Sequence, residues 1–134
     1  MRERAPVAVC AHGAGGGGWE WAIWARVFAA RGWRVVAPDL LPVAEGLAAT
    51  ALADYRAQVQ AWCAQASTPP VLIGASLGGL LALSVAAQAN ASALVLVNPL
   101  PPWGLPAERP TPPIVRWGSA RRFASTRRAM PDAD

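Results

Sequence analysis

The chain has 134 residues, 54% hydrophobic and 15% charged, with a formal net charge of +4. That length holds one domain with a modest core, and the composition is globular rather than disordered. All twelve basic residues are Arg, which excludes a P-loop lysine and any Schiff-base lysine.

Six of the arginines fall between Arg109 and Arg128, where Trp117 and Phe123 are the only aromatics. Nucleic-acid binding needs more interleaved aromatics or a known motif, so no nucleic-acid partner is expected. Two cysteines, Cys10 and Cys63, form neither a disulfide framework nor a zinc pattern. No metal and no cofactor are expected. Met1-Arg2-Glu3-Arg4 leads into a short apolar run without a signal-peptide core. The most apolar stretch, Leu77 to Ala89, is too short to span a membrane. These features set a soluble, cytoplasmic protein as the expectation; they say nothing of oligomeric state.

In chain order, Val7 to Ala11 reads as a strand and His12 to Gly18 as a glycine-rich loop. Trp19 to Arg31 reads as a helix with Trp24, Val27 and Phe28 on one face, stopped by Gly32. Arg34 to Ala37 is a second strand, ended by Pro38-Asp39. A loop reaches Thr50, the expected N-cap of a helix to Ala66. That helix carries Leu52, Tyr55, Val59, Trp62 and Cys63 at helical spacing, with Asp54 in the favourable first turn. Val71 to Ile73 is a third strand, Leu77 to about Asn90 a third helix, and Ala93 to Val97 a fourth strand. Strands this uniformly apolar, alternating with helices, indicate a parallel sheet covered on both faces. From Pro99 the character changes, and eight of the thirteen prolines lie there. The expected division is a core at 1–102 and a Pro/Arg-rich segment at 103–134. Within the latter, Arg116 to Met130 is a candidate basic helix.

Between the third strand and third helix stands Gly74-Ala75-Ser76-Leu77-Gly78, a G-x-S-x-G sequence. A strand turning directly into a helix holds the central residue in a strained conformation with its side chain exposed. Glycines on either side permit the close approach. An ordinary strand–helix turn with a serine satisfies the same five letters, so the pattern alone is weak.

Other segments narrow it. His12-Gly13-Ala14 after the first strand, Gly17-Gly18-Trp19 with Trp21, Val35-Val36-Ala37-Pro38-Asp39-Leu40, the elbow, and Leu94-Val95-Leu96-Val97-Asn98-Pro99 follow in one order. Together, from Val7 to about Pro102, they resemble the α/β-hydrolase family, most closely its esterase and hydroxynitrile-lyase branch. The resemblance implies a three-layer fold with a mostly parallel sheet. These four strands would be an incomplete version of it, in the spatial order second, first, third, fourth. It also implies acyl transfer on a small ester-like substrate. Ser76 would be the nucleophile, backbone N–H groups of Ala14 and Leu77 the oxyanion hole, and His12 and Gly13 the shapers of the oxyanion loop. The absence of lysine and of a hydroxyl residue in the turn favours an esterase over a lyase.

The family order places an acid and then a His after the serine. Here the only His is His12, and the acids after Ser76 are Glu108, Asp132 and Asp134, none at a recognisable strand end. Asn98 holds the position where some relatives carry the acid. No acid or base is therefore assigned. The expectation is a truncated chain that ends at the start of a cap and lacks esterase activity, with its fourth strand an open edge.

Two alternatives stand beside this reading. Gly13-Ala14-Gly15-Gly16-Gly17-Gly18 also satisfies G-x-G-x-x-G between a strand and a helix, with Asp39 about 20 residues on, as in a dinucleotide-binding turn. Five glycines meet many such patterns, Trp19 crowds the turn, and this reading leaves the elbow unexplained. The other alternative is a non-catalytic binding module that keeps the pocket without a base.

Overall fold

The computed structural model describes residues 4–102. The candidate helix Arg116–Met130, the segment boundary at 103 and the acids Glu108, Asp132 and Asp134 lie outside them.

Four parallel strands form one sheet: β1 (Val7–Ala11), β2 (Arg34–Val36), β3 (Val71–Ala75) and β4 (Ala93–Val97). Their spatial order is β2-β1-β3-β4, as expected. Register pairs Ala8 with both Val35 and Val71, and Ala75 with Val97. The strands are linked by three helices, α1 (Ala22–Ala29), α2 (Leu52–Ala64) and α3 (Leu77–Val85).

Strand alternation sends side chains to two faces. On one face Val7, Val9, Ala11 and Leu72 meet Val59 and Cys63 of α2 and Leu81, Ala82 and Val85 of α3. On the other, Ala8, Cys10 and Ile73 meet Trp21, with Phe28, Trp33 and Val35 around them. This is the expected three-layer arrangement. Every residue of β1 is buried, and full burial of an aliphatic side chain stabilises by roughly 1.5–3 kcal/mol. The sheet's centre therefore lies at the strand that feeds the glycine-rich loop. Among the described residues β4 pairs only with β3, and Val95 and Leu96 are 40% and 37% exposed.

Several local expectations shift. The first helix starts as a 3-10 turn at Gly18–Trp21 before α1. Its aromatic residues join a ladder, Trp21 to Trp24 to Phe28 to Trp33, and no residue of α1 is fully buried. Thr50 is not the cap of α2: its hydroxyl donates to Gly46 O and accepts from Val43 N–H, folding its own loop. Asp54 instead accepts the Ala51 N–H at 2.7 Å and closes the first turn. Of the apolar positions read onto α2, only Val59 and Cys63 are buried, and Leu52 is 50% exposed. The third helix ends at Val85, and turns continue to Asn90, whose φ of 49° reverses the chain. Gly32, at φ 77°, ends α1's final turn as expected. There Trp33 N–H reaches back to Phe28 O.

Candidate active site

Two loops meet at the carboxyl edge of β1 and β3. The strand order reverses there, because β1 leads out to β2 and β3 to β4 on opposite sides. Crevices at such switch points are where open α/β sheets bind ligands.

On the β3 side, Ser76 has φ 52° and ψ −117°. This backbone is costly for a residue with a Cβ, about 1–3 kcal/mol. The surroundings hold it. Ser76 N–H donates to Val97 O at 3.1 Å, and Ser76 O accepts from Gly79, Leu80 and Leu100 N–H at 3.1, 3.3 and 2.9 Å. The glycines are required by contact. A Cβ on Gly74 would overlap the Gly78 carbonyl, one on Gly78 would overlap the Ala11 carbonyl, and one on Gly79 would sit 2.7 Å from Pro99 Cβ. The turn thus has the sharp, strained geometry of a nucleophile elbow. Ser76 is exposed, and Leu77 opens α3. With Ser76 O drawn into the helix, the trans peptide turns Leu77 N–H outward from the helix N-terminus, where negative charge is favoured.

On the β1 side, His12 is 4% exposed. Its Nε2 accepts the Leu40 N–H at 2.8 Å, and its Nδ1 lies 2.8 Å from Gly13 O. An amide N–H can only donate and a carbonyl can only accept, so the single ring proton sits on Nδ1. Both nitrogens are occupied, and His12 has no lone pair left to serve as a base. Gly13 O also accepts from Gly16 N–H at 3.2 Å. With the Gly13 carbonyl held on that side, planarity directs Ala14 N–H to the opposite side. Neither Ala14 N–H nor Leu77 N–H has an acceptor among the described residues. The two loops touch: a Cβ on Gly13 would lie 3.2 Å from Ser76 Cβ and 3.8 Å from Ser76 Oγ.

The structure therefore brings the loop His12–Ala14 and the turn Ser76–Leu77 together at the carboxyl edge of β1 and β3. Three partners escaped the sequence reading. Asp39 Oδ1 accepts the Gly18 N–H at 2.7 Å, Gln58 clasps both backbone groups of Leu41, and Leu100 N–H ties the segment after β4 to the elbow. All but Asp39 lack any periodic or motif signal. Asp39 Oδ1 is engaged by a loop amide rather than left for a ribose. Glu20's carboxylate folds over Gly16, where a Cβ would overlap it. An anionic group in that position opposes a pyrophosphate and weighs against the dinucleotide alternative. Among the described residues, no group of three or more His, Cys, Asp and Glu is placed to hold a metal ion. No described helix is long and apolar enough to cross a membrane.

A family model described as the alpha/beta hydrolase family matches residues 8–134. The chain belongs to the α/β-hydrolase family. Among solved structures, the thioesterase domain from the curacin biosynthetic pathway is 26% identical, with TM-score 0.66, covering 95% of this chain and 47% of its own. A pyrethroid hydrolase from Sphingobium faniae JZ-2 is 27% identical, with TM-score 0.61, covering 71% of this chain and 40% of its own. An extracellular α/β-hydrolase from a Paenibacillus species, 20% identical with TM-score 0.62, shares the fold over 72% of this chain and 42% of its own. The chain thus spans less than half the length of each of these hydrolases. A search of curated proteins finds no significant match.

Proposed function

We propose that this α/β-hydrolase chain carries the nucleophile and oxyanion half of a serine hydrolase site that acts on small carboxylic esters by acyl transfer. Ser76 Oγ gives its proton to a base and attacks the carbonyl carbon, and the C=O π electrons move to the carbonyl oxygen. Ala14 and Leu77 N–H groups receive that oxyanion, each worth on the order of 3 kcal/mol by analogy with known sites. The alkoxide then leaves, and water hydrolyses the acyl-serine. The observation that carries the reading is Ser76's φ of 52° and ψ of −117° in a turn lying against Gly13. Relatives described as a pyrethroid hydrolase and a thioesterase support an ester or thioester carbonyl as the target.

The base is the missing part. A serine hydroxyl needs one, and the only histidine in 134 residues has both nitrogens committed. We therefore propose that these residues alone do not turn over esters, and that catalysis requires a base from outside them. Added imidazole tests this. Hydrolysis of p-nitrophenyl acetate should match Ser76→Ala without imidazole and exceed it with imidazole. Equal rates for both proteins at every imidazole concentration would favour the non-catalytic binding module. Turnover without imidazole that vanishes in Ser76→Ala would refute the missing base.

A further inference from the structure

Three consecutive residues after β2 are each tied to a different part of the fold by a side chain. Asp39 Oδ1 accepts the Gly18 N–H at 2.7 Å, at the far end of the glycine-rich loop. Leu40 N–H donates to His12 Nε2 at 2.8 Å, at the near end. Leu41 is clasped by Gln58 of α2, which accepts its N–H at 2.9 Å and donates to its carbonyl at 2.7 Å. The sequence separations are 21, 28 and 17 residues, so none of these bonds is a local turn.

The consequence runs through His12. Leu40 N–H fixes the ring by occupying Nε2, which leaves Nδ1–H for Gly13 O. That bond sets the Gly13–Ala14 peptide plane and hence the direction of Ala14 N–H. A hydrogen bond to a carboxylate is roughly twice as strong as one between neutral groups, so the single Asp39 bond and the paired Gln58 bonds are anchors of similar strength. A rigid donor direction matters because an oxyanion hole works by not having to reorganise as charge develops.

We propose that Asp39 and Gln58 are positioning residues for the oxyanion loop, acting through the strip Asp39–Leu41 on His12 and thereby on Ala14 N–H. The proposal rests on the reading of Ala14 N–H as an oxyanion donor. It adds two residues that never touch substrate.

Phenylboronic acid is a suitable probe because it needs no turnover. Ser76 Oγ donates an electron pair to boron and its proton leaves to buffer. Boron becomes tetrahedral and anionic, which boron-11 NMR detects. The experiment compares wild type with Ser76→Ala, Asp39→Ala, Asp39→Asn, Gln58→Ala and Gln60→Ala. Gln60 is the control because it donates to Gln88 in the turns after α3, not to the loop. Asp39→Ala and Gln58→Ala should each weaken the Ser76-dependent adduct about tenfold, the order of one charge-assisted or two neutral net hydrogen bonds. Asp39→Asn, which keeps an acceptor oxygen, should recover most of the loss, and Gln60→Ala should match wild type. Amide exchange at Gly16 and Leu40 should quicken in the same variants.

Unchanged adduct affinity in Asp39→Ala and Gln58→Ala would overturn the positioning role while leaving the nucleophile intact. Equal weakening in Gln60→Ala would also overturn it, as a general stability effect. Absence of any Ser76-dependent adduct in wild type would overturn the underlying nucleophile reading. Exchange at Gly16 and Leu40 would then decide the anchoring: quickened by Asp39→Ala but not by Gln60→Ala, it stands; unchanged, it falls.

Discussion

Gly78→Ala is the sharpest perturbation of the elbow. The added Cβ would overlap the Ala11 carbonyl oxygen and lie 2.5 Å from both the Ala11 carbonyl carbon and His12 O, where ordinary Cβ contacts begin near 3.4 Å. Relief requires α3 and β1 to separate by about 1 Å, and neither side is free to move. Ala11 ends a fully buried central strand, and the obstructing atoms are backbone, not a flexible side chain. Overpacking usually costs about 1–3 kcal/mol; with backbone on both sides the expected cost is about 3 kcal/mol or more. Set against a typical total of about 5–15 kcal/mol, that lowers the melting temperature by about 10 °C in a domain this size. Urea and thermal unfolding would be run beside Gly32→Ala. There an added Cβ meets nothing within 4 Å but must adopt φ 77°, at a cost of about 1–2 kcal/mol. If Gly78→Ala proves no more destabilising than Gly32→Ala, the close approach of α3 to β1 is wrong, and the juxtaposition of Ser76 with Gly13 is wrong with it.

Other expectations follow from the same contacts. Gly13→Ala places a methyl 3.2 Å from Ser76 Cβ, so it should fold with a small stability loss yet weaken the imidazole-assisted reaction, seen as reduced p-nitrophenol release. His12→Ala removes the partner of the Leu40 N–H and one donor to Gly13 O; urea unfolding should show a loss of about 2–4 kcal/mol for unsatisfied buried groups and lost packing. Burial pushes the Cys10 thiol up from 9.0 to about 12, so the unfolded chain releases this proton first. The resulting stability is whole below about pH 9 and is lost as pH rises toward about 12. Burial raises Cys63 and Tyr55 in the same direction, and Cys10→Ala should flatten the alkaline limb measured by urea unfolding. A limb unchanged by that substitution would show that Cys10 is not its source.

The sheet was legible because its information is local. Apolar runs such as Val71–Ile73 and Leu94–Val97 announce strands whatever they pair with, and Gly32 announces a helix end. The strand order came from the resemblance, since four alternating units admit several arrangements. The elbow was legible because the turn's steric demands act on residues only two positions away. What remained hidden is the set of side chains that bond distant backbone. Thr50 looked like a cap, but its hydroxyl is taken by Gly46 O and the Val43 N–H of its own loop. Asp39 looked like a strand terminator or a ribose ligand and is a loop anchor. Gln58 looked like one more polar residue on a helix. A single polar side chain carries no periodicity, so its partner 17 or 21 residues away is visible only in three dimensions. On α1 the shared face of Trp24 and Phe28 was legible, but spacing could not show that Trp24 stacks on Phe28 while Phe28 meets the edge of Trp33.

The most direct measurement is peptide mapping by mass spectrometry after exposure to p-nitrophenyl acetate with imidazole. The account predicts an acetyl group on Ser76, formed only when imidazole supplies the base and not formed in the presence of excess phenylboronic acid. Acetylation confined to other residues, or acetyl-Ser76 at the same level without imidazole, would contradict it.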